Sequence, residues 1–428
     1  MSLKRILEEQ VKLFKLDKET IDYLNKETEN IIEEIEQELK KKKIIAEVFL
    51  GGSLAKGTLI KKENHDIDVF VRFDWRIDDI SDVLEDIVEG VGKKLGYEVS
   101  KMHGSRDYFR IVIKDNLYFE IIPLCRIKNP QEARNVTDLS YFHVNYVTKK
   151  LKGNKIADEI LLAKQFCHAN GIYGAETYIQ GFSGYGLECL IIYYKSFVNM
   201  LRKLAQVKDR IVIDPKKHYK KSADVLFSLN ESRLQSPVIL IDPTWKERNI
   251  LSGLSKENFK KFQEKAREFL KKPSNEFFKL HELDIEELDK LSRAKNYEFI
   301  ATTMKTDRQE GDIAGTKMKK FAKLLESELR KYFDVFRTEF DYREGNEANF
   351  YAILKTKKEI IKNGPPVSMA KNAEAFKKAN KDTFVKSGSL YARQKLNFSA
   401  GEFLKNYIKV QGKKLTDMGI TLLKIKND

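Results

Sequence analysis

A pair of aspartates separated by one residue constrains this chain more than any other feature of its sequence. Asp66 and Asp68 lie at the start of an apolar run that continues to Phe73, and the β-branched and aromatic residues of this run predict a strand. Because strand side chains alternate between two faces, both carboxylates should point to the same side. Such a pair suits a hard cation such as Mg²⁺. It also occurs at solvated strand ends, so other residues must decide between the two interpretations.

A glycine-rich turn precedes the aspartates and favours the functional interpretation. Ser53 follows Gly52 and lies thirteen residues before Asp66, and Lys56 comes three residues after Ser53. If a helix begins at this turn, its N–H groups, the serine hydroxyl and the lysine ammonium would attract the oxygens of a triphosphate. Gly-Ser alone is a common turn sequence. Its combination with the two aspartates is what indicates a nucleotide site.

A third carboxylate lies in a second predicted strand. Glu120 interrupts the apolar sequence Leu-Tyr-Phe-Glu-Ile-Ile, where a carboxylate is costly unless a cation accompanies it. Together with Asp66 and Asp68 it would hold two Mg²⁺ ions, which can activate an attacking hydroxyl and stabilise the leaving oxygen in a displacement at phosphorus. We therefore predict that Asp66, Asp68 and Glu120 are the catalytic, metal-binding residues.

A lysine lies on an otherwise apolar face of a predicted helix. Lys164 has Ile160 and Leu161 on the turn before it and Cys167 on the turn after it. A lysine in this position either extends its amine to solvent or faces an anion. The local sequence leaves both possibilities open.

The charge balance points to nucleic acid as one possible partner. The 428 residues include 79 Lys and Arg against 64 Asp and Glu, a net charge of +15, which suits either a polyanion or a lysine-rich, well-solvated surface. The three widely spaced cysteines predict neither a disulfide framework nor a zinc site. The sequence has no apolar stretch of membrane-spanning length and no signal-peptide-like segment at its start, so we expect a cytoplasmic protein without a membrane partner.

Hydrophobic periodicity divides the chain into a mixed N-terminal part, a helical middle and an α/β C-terminal part. Helices are predicted over 17–43, 79–95, 256–271 and 317–332, and strands over 44–50, 67–73, 296–302, 333–340 and 349–355. The segment 108–123 predicts two strands joined by a turn at 114–116. Loops are expected over 207–224, a linker over 303–316, and a helical, basic end over 369–428.

The C-terminal end combines positive charge with aromatic residues. Between Lys371 and Lys395 there are seven Lys and Arg against two acidic residues. The interleaved aromatic residues are Phe376, Phe384 and Tyr391. Such a segment suits duplex RNA recognised through its shape and phosphates, although a solvated basic helix has the same composition.

Several short blocks of sequence follow one another along most of the chain. They are Gly52–Thr58 with Asp66–Phe70, Asp138–His143, Gly171–Glu176 with Gly181–Tyr185, Asp242-Pro243 with Glu247–Asn249, and Gly364–Val367. In this order the blocks resemble the archaeal-type (class I) CCA-adding enzymes, which are tRNA nucleotidyltransferases of the polymerase-β-like superfamily. The first block is shared across that superfamily, whereas the third and the last are particular to the CCA-adding enzymes.

The resemblance implies an α+β fold in three parts. These are a polymerase-β-like nucleotidyltransferase palm over 1–150, a mostly helical central nucleotide-binding domain over 151–275, and an α/β tRNA-binding body and tail over 276–428. The implied reaction is the template-independent addition of C, C and A to the 3′ end of tRNA from CTP and ATP, with two Mg²⁺ ions and release of pyrophosphate. The tRNA would bind through its acceptor end and TΨC arm, to a monomer or a homodimer.

The resemblance also implies roles for individual residues. The metal carboxylates would again be Asp66, Asp68 and Glu120. Nucleotide binding would use Gly52 in the turn, Ser53, Lys56, Lys164 and Tyr173 at the triphosphate, Ser140 and His143 near the sugar and phosphates, and Arg248 at the base. In the basic tail, the predicted RNA-binding residues are Lys377, Lys378, Lys386, Tyr391 and Arg393.

Four positions depart from the residues usual in that family. Asp66 and Glu120 stand where Glu and Asp are expected, which keeps the charge and shifts the carboxylate oxygens by a methylene. Lys56 replaces Arg and loses the bidentate fork, and Ser140 replaces Thr. Two alternatives stay open. A poly(A)- or oligoadenylate-forming transferase would differ in nucleotide choice, and a catalytically silent RNA-binding relative would not depend on magnesium.

Overall fold

The chain folds into two compact units, Met1–His281 and Glu282–Asp428. The computed structural model describes residues 2–62, 64–114, 117–152, 155–280, 282–343 and 345–426. Each unit has hydrophobic clusters of its own. None of the helices in these described ranges is long and apolar enough to cross a membrane.

The first part of the first unit combines four helices with a mixed sheet. The helices are α1 (Leu3–Phe14), α2 (Lys18–Lys41), α3 (Gly52–Ala55) and α4 (Ile80–Leu95). The strands are β1 (Ala46–Leu50), β2 (His65–Phe73), β3 (Glu98–Met102), β4 (Tyr108–Lys114) and β5 (Leu117–Cys125). α2 begins where the Asp17 carboxylate accepts the Thr20 N–H, and its apolar stripe is buried in the same cluster as the strands.

The sheet of the first unit has the strand order β1-β2-β5-β4-β3. β2 and β5 pair in parallel, whereas the other neighbours are antiparallel. Ile67, Val69 and Val71 are fully buried, as expected for a strand covered by helices. The predicted hairpin of β4 and β5 is confirmed by their pairing, although residues 115–116 of its turn lie outside the described residues.

The rest of the first unit is mostly helical. Its helices are α5 (Ser140–Leu151), α6 (Ile156–Ala169), α7 (Gly184–Tyr194), α8 (Phe197–Leu204), α9 (Ser222–Ser228) and α10 (Lys256–Lys271), and its short strands are β6 (Ile211–Ile213) and β7 (Val238–Leu240). Phe166 lies among other phenylalanines of a fully buried cluster. The three cysteines are buried thiols, as predicted.

The second unit contains two antiparallel sheets. Its elements are α11 (Ile285–Lys295), β8 (Glu298–Lys305), α12 (Asp312–Tyr332), β9 (Phe333–Tyr342), β10 (Glu347–Thr356), β11 (Glu359–Pro366), α13 (Ala370–Ala379), β12 (Thr383–Lys386), β13 (Ser389–Lys395), α14 (Ala400–Asp417) and β14 (Leu422–Ile425). The larger sheet has the order β14-β8-β10-β9, and the smaller one β11-β13-β12.

Three predictions of secondary structure were wrong in part. The loop segment 207–224 contains β6 and the start of α9, and the linker 303–316 is shortened by β8 and by the early start of α12. The end of the chain is not only helical, because residues 369–428 also contain β12, β13 and β14. β11 carries Pro365 and Pro366, which an edge strand tolerates because one side of its backbone has no partner strand.

Candidate active site

Two parallel strands bring the predicted metal carboxylates together. The register of β2 and β5 places Asp68 directly beside Glu120, and Asp66 beside Tyr118. Residues paired across neighbouring strands project to the same face of a sheet, so the Asp68 and Glu120 side chains lie next to each other. Asp66 is two residues before Asp68 and therefore shares that face.

Glu120 has a cationic partner, as its apolar surroundings predict. Arg110 lies opposite Glu120 on β4, and its guanidinium donates to Glu120 Oε1 at 2.9 Å. The Arg110 guanidinium also lies over the Tyr118 ring, 4.2 Å from its centroid. The arginine is therefore held in place by two neighbours, and part of the Glu120 charge is balanced within the sheet.

Asp68 has a strongly perturbed carboxyl group. Burial raises its pKa, and the neighbouring charges of Glu120 and Asp66 raise it further, to about 7. Lys56 and Lys164 lower the pKa but do not compensate for these effects. The negative charges near Asp68 therefore have a larger effect on it than the positive charges of the two lysines.

This excess of negative charge fits a divalent cation. In the part of the chain that the structure describes, no three His, Cys, Asp or Glu side chains are arranged to enclose a metal by themselves. Mg²⁺ does not require such a cage, because it keeps several waters and is commonly held by one or two carboxylates and substrate phosphates. The donors at Asp68 and its neighbours are the hard oxygens that this ion prefers.

The glycine turn before α3 lies against the aspartate pair. Gly52 has a φ of +55°, and a Cβ atom at this position would come within 1.7 Å of Asp68 Oδ2. The Gly51 N–H donates to the Asp68 carbonyl at 2.8 Å, which fixes the turn to β2. Only glycine meets both demands, because other residues rarely adopt this φ and their side chains would overlap the carboxylate.

The two predicted serines lie on helices that pack against each other. Ser53 is in the single turn of α3, and Ser140 is the first residue of α5; both are partly exposed. α3 packs against α5. The start of α5 is held by the buried Asp138 carboxylate, which accepts the Cys125 N–H at the end of β5. Asp138 thus links the last strand of the sheet to the helix that carries Ser140.

The two lysines predicted to bind the triphosphate both donate hydrogen bonds to one buried glutamate. Lys56 Nζ donates to Glu188 Oε2 at 2.7 Å, and Lys164 Nζ donates to Glu188 Oε1 at 2.9 Å. Thr58 Oγ1 also donates to Glu188 Oε1, at 2.7 Å. Burial by itself raises the pKa of Glu188, but the charges of Lys164 and Lys56 outweigh this effect and bring it to about 2. Lys164 therefore faces an anion rather than solvent.

Glu188 was missed at the level of sequence, although a signal for it exists. It lies in α7 among apolar residues, in the sequence Gly-Leu-Glu-Cys-Leu-Ile, and its side chain is fully buried. Like Lys164, Glu188 is a charge in an apolar helix, and such a charge needs a partner of opposite sign.

Tyr173 lies beside the lysine cluster at a point where α7 begins. A Cβ atom added to Gly184 would lie 2.9 Å from Tyr173 Oη and 3.8 Å from Lys164 Cε. Gly184 thus leaves open the space next to both predicted triphosphate residues. Burial raises the pKa of the Tyr173 phenol well above its ordinary range, and Glu188 and Asp66 add to the effect, so the hydroxyl keeps its proton.

A second buried carboxylate joins His143 and Arg248. Asp242 is fully buried, and its Oδ2 lies 2.8 Å from an Arg248 guanidinium nitrogen and 3.1 Å from His143 Nε2. Its Oδ1 accepts from Tyr185 Oη, and the Tyr185 ring stacks on His143 with centroids 4.0 Å apart. Asp242 belongs to the sequence block that also contains Arg248, but it was not among the predicted site residues.

The pKa of His143 is lowered from its ordinary value, which favours the neutral ring. Burial lowers its pKa, and the positive charges of Arg248 and Lys56 lower it further, against the opposing effect of Asp242. The influence of Lys56 on His143 and on Asp68 means that the carboxylates, the lysines and the histidine belong to one electrostatic environment.

The predicted RNA-binding residues lie in the second unit, on α13 and the smaller sheet. Lys377, Lys378, Lys386 and Arg393 are exposed, and Tyr391 is partly exposed. Tyr391 stacks on the ring of Phe384, with centroids 5.5 Å apart. The Arg393 guanidinium lies 4.8 Å from the centroid of the Phe384 ring. These contacts give the sheet a surface of stacked aromatic rings and positive charge.

Comparison with protein families covers most of the first unit. Residues 158–279 match the model of the second domain of tRNA nucleotidyltransferases. Residues 1–141 match the model of the Second Messenger Oligonucleotide or Dinucleotide Synthetase domain.

Curated relatives and solved structures extend these matches. The CCA-adding enzyme of Nanoarchaeum equitans is 31% identical over 377 residues, which cover 87% of this chain and 90% of the relative. That of Methanocaldococcus jannaschii is 29% identical over 416 residues, 93% of this chain and 89% of the relative. A structure of the Cid1 poly(U) polymerase with Mg 3′-dATP has a TM-score of 0.51 at 14% identity, and the match covers 65% of this chain and 98% of that chain. The predicted α+β fold with a polymerase-β-like nucleotidyltransferase head is confirmed, and the chain belongs to the CCA-adding enzyme family of tRNA nucleotidyltransferases.

Proposed function

We propose that this protein adds C, C and A to the 3′ end of tRNA, from CTP and ATP and without a nucleic-acid template. The observation that carries the proposed chemistry is the parallel pairing of β2 and β5, which places Asp68 beside Glu120 in an environment rich in negative charge. The product is proposed from the relatives, which are named CCA-adding enzymes and match along about nine-tenths of this chain and of their own length. A tRNA substrate also agrees with the expected cytoplasmic location.

Asp66, Asp68 and Glu120 are the residues that would hold Mg²⁺, and we propose two ions. When bound, such ions lower the pKa of the attacking 3′-hydroxyl and balance the charge that develops on the transferred phosphate and the leaving pyrophosphate. The unbalanced negative charge at Asp68 supports this assignment. Glu120 would contribute one oxygen while Arg110 stays bonded to Oε1.

The chain's own residues would bind and orient the nucleotide. Lys56 and Lys164 would attract the triphosphate, and the open backbone at Gly52 would let it approach Asp68 closely. His143 and Arg248, both held by Asp242, would face the sugar and the base. In this arrangement the positive charges are fixed before the substrate arrives, which reduces the reorganisation needed in the reaction.

The second unit would bind tRNA through the exposed basic residues of α13 and the smaller sheet. Exposed lysines and an arginine suit the phosphates of duplex RNA, and the Arg393 guanidinium lies over the Phe384 ring, which stacks on Tyr391. Because such contacts release counterions, binding through them should weaken as salt is raised.

The proposed reaction is tested by supplying a tRNA that lacks its last three nucleotides, with magnesium and with CTP alone, ATP alone or both. We expect two C residues with CTP alone and a terminal A only when both nucleotides are present. Long A tracts would instead indicate a poly(A)-forming transferase. Tight tRNA binding without any incorporation would indicate a silent RNA-binding protein.

The proposed RNA surface is tested by replacing Lys377 and Lys378 with Gln together. We expect a severalfold loss of tRNA affinity at moderate salt. The slope of the logarithm of the binding constant against the logarithm of the salt concentration should become shallower by about 1 for each phosphate contact removed. The matched control replaces Lys320 and Lys323, which are exposed on α12 of the same unit. Equal losses for the two pairs would contradict a specific role for α13.

A further inference from the structure

Glu188 is not among the predicted nucleotide-binding residues, yet two of those residues donate hydrogen bonds to it. Its carboxylate is fully buried, and both oxygens accept hydrogen bonds, Oε2 from Lys56 and Oε1 from Lys164 and Thr58. One carboxylate is thus shared by two ammonium groups and a hydroxyl. Removing one partner of a buried ion pair leaves an uncompensated charge, so this arrangement strongly constrains the positions of both lysines.

The two lysines are held to different extents. Lys164 Nζ lies within hydrogen-bond distance of three oxygens, namely the Thr58 carbonyl at 3.1 Å, Thr58 Oγ1 at 3.1 Å and Glu188 Oε1 at 2.9 Å. An ammonium has three N–H donors, so all three are used. Its side chain is 4% exposed, whereas that of Lys56 is 10% exposed and has Glu188 Oε2 as its acceptor in the described part of the chain.

The shared carboxylate connects three segments of the first unit. Glu188 is on α7, Lys164 is on α6, and Lys56 and Thr58 follow α3 directly. The bond from Lys56 to Glu188 spans 132 residues of sequence. The loop that follows the glycine turn is therefore tied to the helical part of the unit, on the side where Lys56 influences Asp68.

We infer that Glu188 is a positioning residue for the nucleoside triphosphate: it fixes Lys164 and holds Lys56 in place until a triphosphate oxygen replaces Glu188 Oε2 as the acceptor for Lys56. This inference rests on the proposed function, and it adds a residue and an exchange of partners to it. Lys56 is the lysine that leaves, because it is the more exposed of the two and has fewer bonds to break. Lys164 keeps its bonds to Thr58 throughout.

In the exchange, Lys56 loses one charge-assisted hydrogen bond and gains another. A phosphate oxygen accepts a charge-assisted hydrogen bond from an ammonium as well as a carboxylate does, and a triphosphate carries several negative charges. Before binding, Glu188 keeps the Lys56 side chain ordered, so the nucleotide does not have to order it. After binding, Lys164 still compensates the buried Glu188 charge.

The inference is tested by measuring equilibrium binding of CTP and ATP to Glu188→Gln, with Ca²⁺ in place of Mg²⁺ so that no turnover is needed. The amide has the same size but no charge, and we expect binding to weaken about tenfold, or ~1.4 kcal/mol, because Lys56 is no longer held in place. With Mg²⁺ and saturating nucleotide, kcat should change much less than KM. Binding as tight as in the unchanged protein would overturn the inference.

A matched control separates this effect from a general loss of structure. Glu159→Gln changes a different glutamate of the first unit, which is partly buried on α6 and whose oxygen accepts the Phe197 N–H. The amide oxygen can keep that bond, so nucleotide binding and kcat should both stay unchanged. A loss equal to that of Glu188→Gln would show that any glutamate replacement in this region disturbs the site, and would overturn the specific role of Glu188.

A double-mutant cycle tests whether Glu188 acts through Lys56. If it does, Glu188→Gln should add little to Lys56→Met, so the double variant should bind CTP within about twofold of Lys56→Met alone. Losses that multiply would mean that the two residues act independently, and this would contradict the inference.

A structure of the unchanged protein with CTP keeps the inference testable even if Glu188→Gln does not fold. We expect Lys56 Nζ to contact a phosphate oxygen and to lie beyond hydrogen-bond distance of Glu188, while Lys164 stays within it. A bond between Lys56 and Glu188 that persists in the complex overturns the exchange. These binding and structural results do not depend on the RNA product, so failure of the CCA assay would be distinguished from failure of this inference.

Discussion

Asp68 and Glu188 are carboxylates of the same unit, but their electrostatic states are opposite. The pKa of Asp68 is raised to about 7, because burial and the negative charges of Glu120 and Asp66 disfavour its ionised form. The pKa of Glu188 is lowered to about 2, although it is the more buried of the two, because Lys164 and Lys56 both donate to it.

The difference separates two uses of a buried charge. Glu188 has cations supplied by the protein, so its role is to hold those cations in place. Asp68 is surrounded by more negative than positive charge, so it is ready to bind a cation from solution. Burial alone therefore does not distinguish the two carboxylates, whereas the sign of the surrounding charge does.

Replacing Asp68 by Asn should cause the largest loss of nucleotide incorporation. The amide keeps the shape but removes the charge that we propose binds Mg²⁺, so we expect nucleotide incorporation to fall by about 10³-fold or more, or at least ~4 kcal/mol of transition-state stabilisation. Single-turnover incorporation into tRNA measures this. The control is Asp78→Asn, an exposed aspartate of the same unit. An Asp68→Asn protein of normal activity would remove the metal assignment.

Adding a methyl group beside Asp68 should have the next largest effect. In Gly52→Ala the new Cβ would overlap Asp68 Oδ2, and we expect roughly a 10²-fold loss of kcat, because small displacements of catalytic groups are costly. Gly57→Ala is the matched control, since Gly57 also has a positive φ, of +66°, but its Cβ would have no neighbour within 4 Å. Equal losses would show that backbone strain, not the close approach to Asp68, is responsible.

The pH dependence of folding stability tests the raised pKa of Asp68 without measuring the reaction. Between pH 4 and pH 7 the folded metal-free protein holds a proton at Asp68 that the unfolded chain has lost, so its free energy of unfolding falls as pH rises through this window. Asp68→Asn abolishes this fall. In EDTA we expect the variant to be more stable than the unchanged protein by on the order of 2 kcal/mol at pH 8, a value reduced for partial exposure, and by nothing at pH 4.

Chemical denaturation at the two pH values measures this difference. A variant that is equally stable or less stable at pH 8 would mean that Asp68 ionises normally in the folded protein.

Addition of Mg²⁺ should give the smallest effect. At pH 8, Mg²⁺ at about five times its Kd should stabilise the protein by ~1 kcal/mol, and less at pH 6, where a proton competes for Asp68. Thermal unfolding with and without EDTA measures this. The same stabilisation in Asp68→Asn would place the ion elsewhere.

The sequence predicted the features that depend on local periodicity. The strand containing Asp66 and Asp68 follows from its run of β-branched and aromatic residues, and the cationic partner of Glu120 follows from the cost of an unpaired charge. The roles of Glu188 and Asp242 did not follow, because their partners lie far away in sequence, and only the fold brings them together. The sequence blocks located most of the remaining site residues, and the roles assigned to them stay predictions.

The strands of the second unit show a different reason for failure. β12 and β13 are short, and in β13 the buried Leu390 and Ala392 alternate with the partly exposed Ser389 and Tyr391 before three exposed polar residues. In so short and polar a segment, the many polar residues obscure the alternation of buried and exposed side chains that is typical of a strand. A basic solvated helix therefore fitted the sequence equally well.

The parallel pairing of β2 and β5 has a consequence for how the protein is made. The two strands that carry Asp68 and Glu120 are joined by a connection of roughly forty residues, and the acceptor of the Lys56 ammonium lies on α7. Contacts between such distant residues form late in folding, because the intervening loop must close first. A growing chain therefore cannot assemble the nucleotide site until α7 has left the ribosome, and isolated N-terminal fragments that end before α7 should not bind nucleotide.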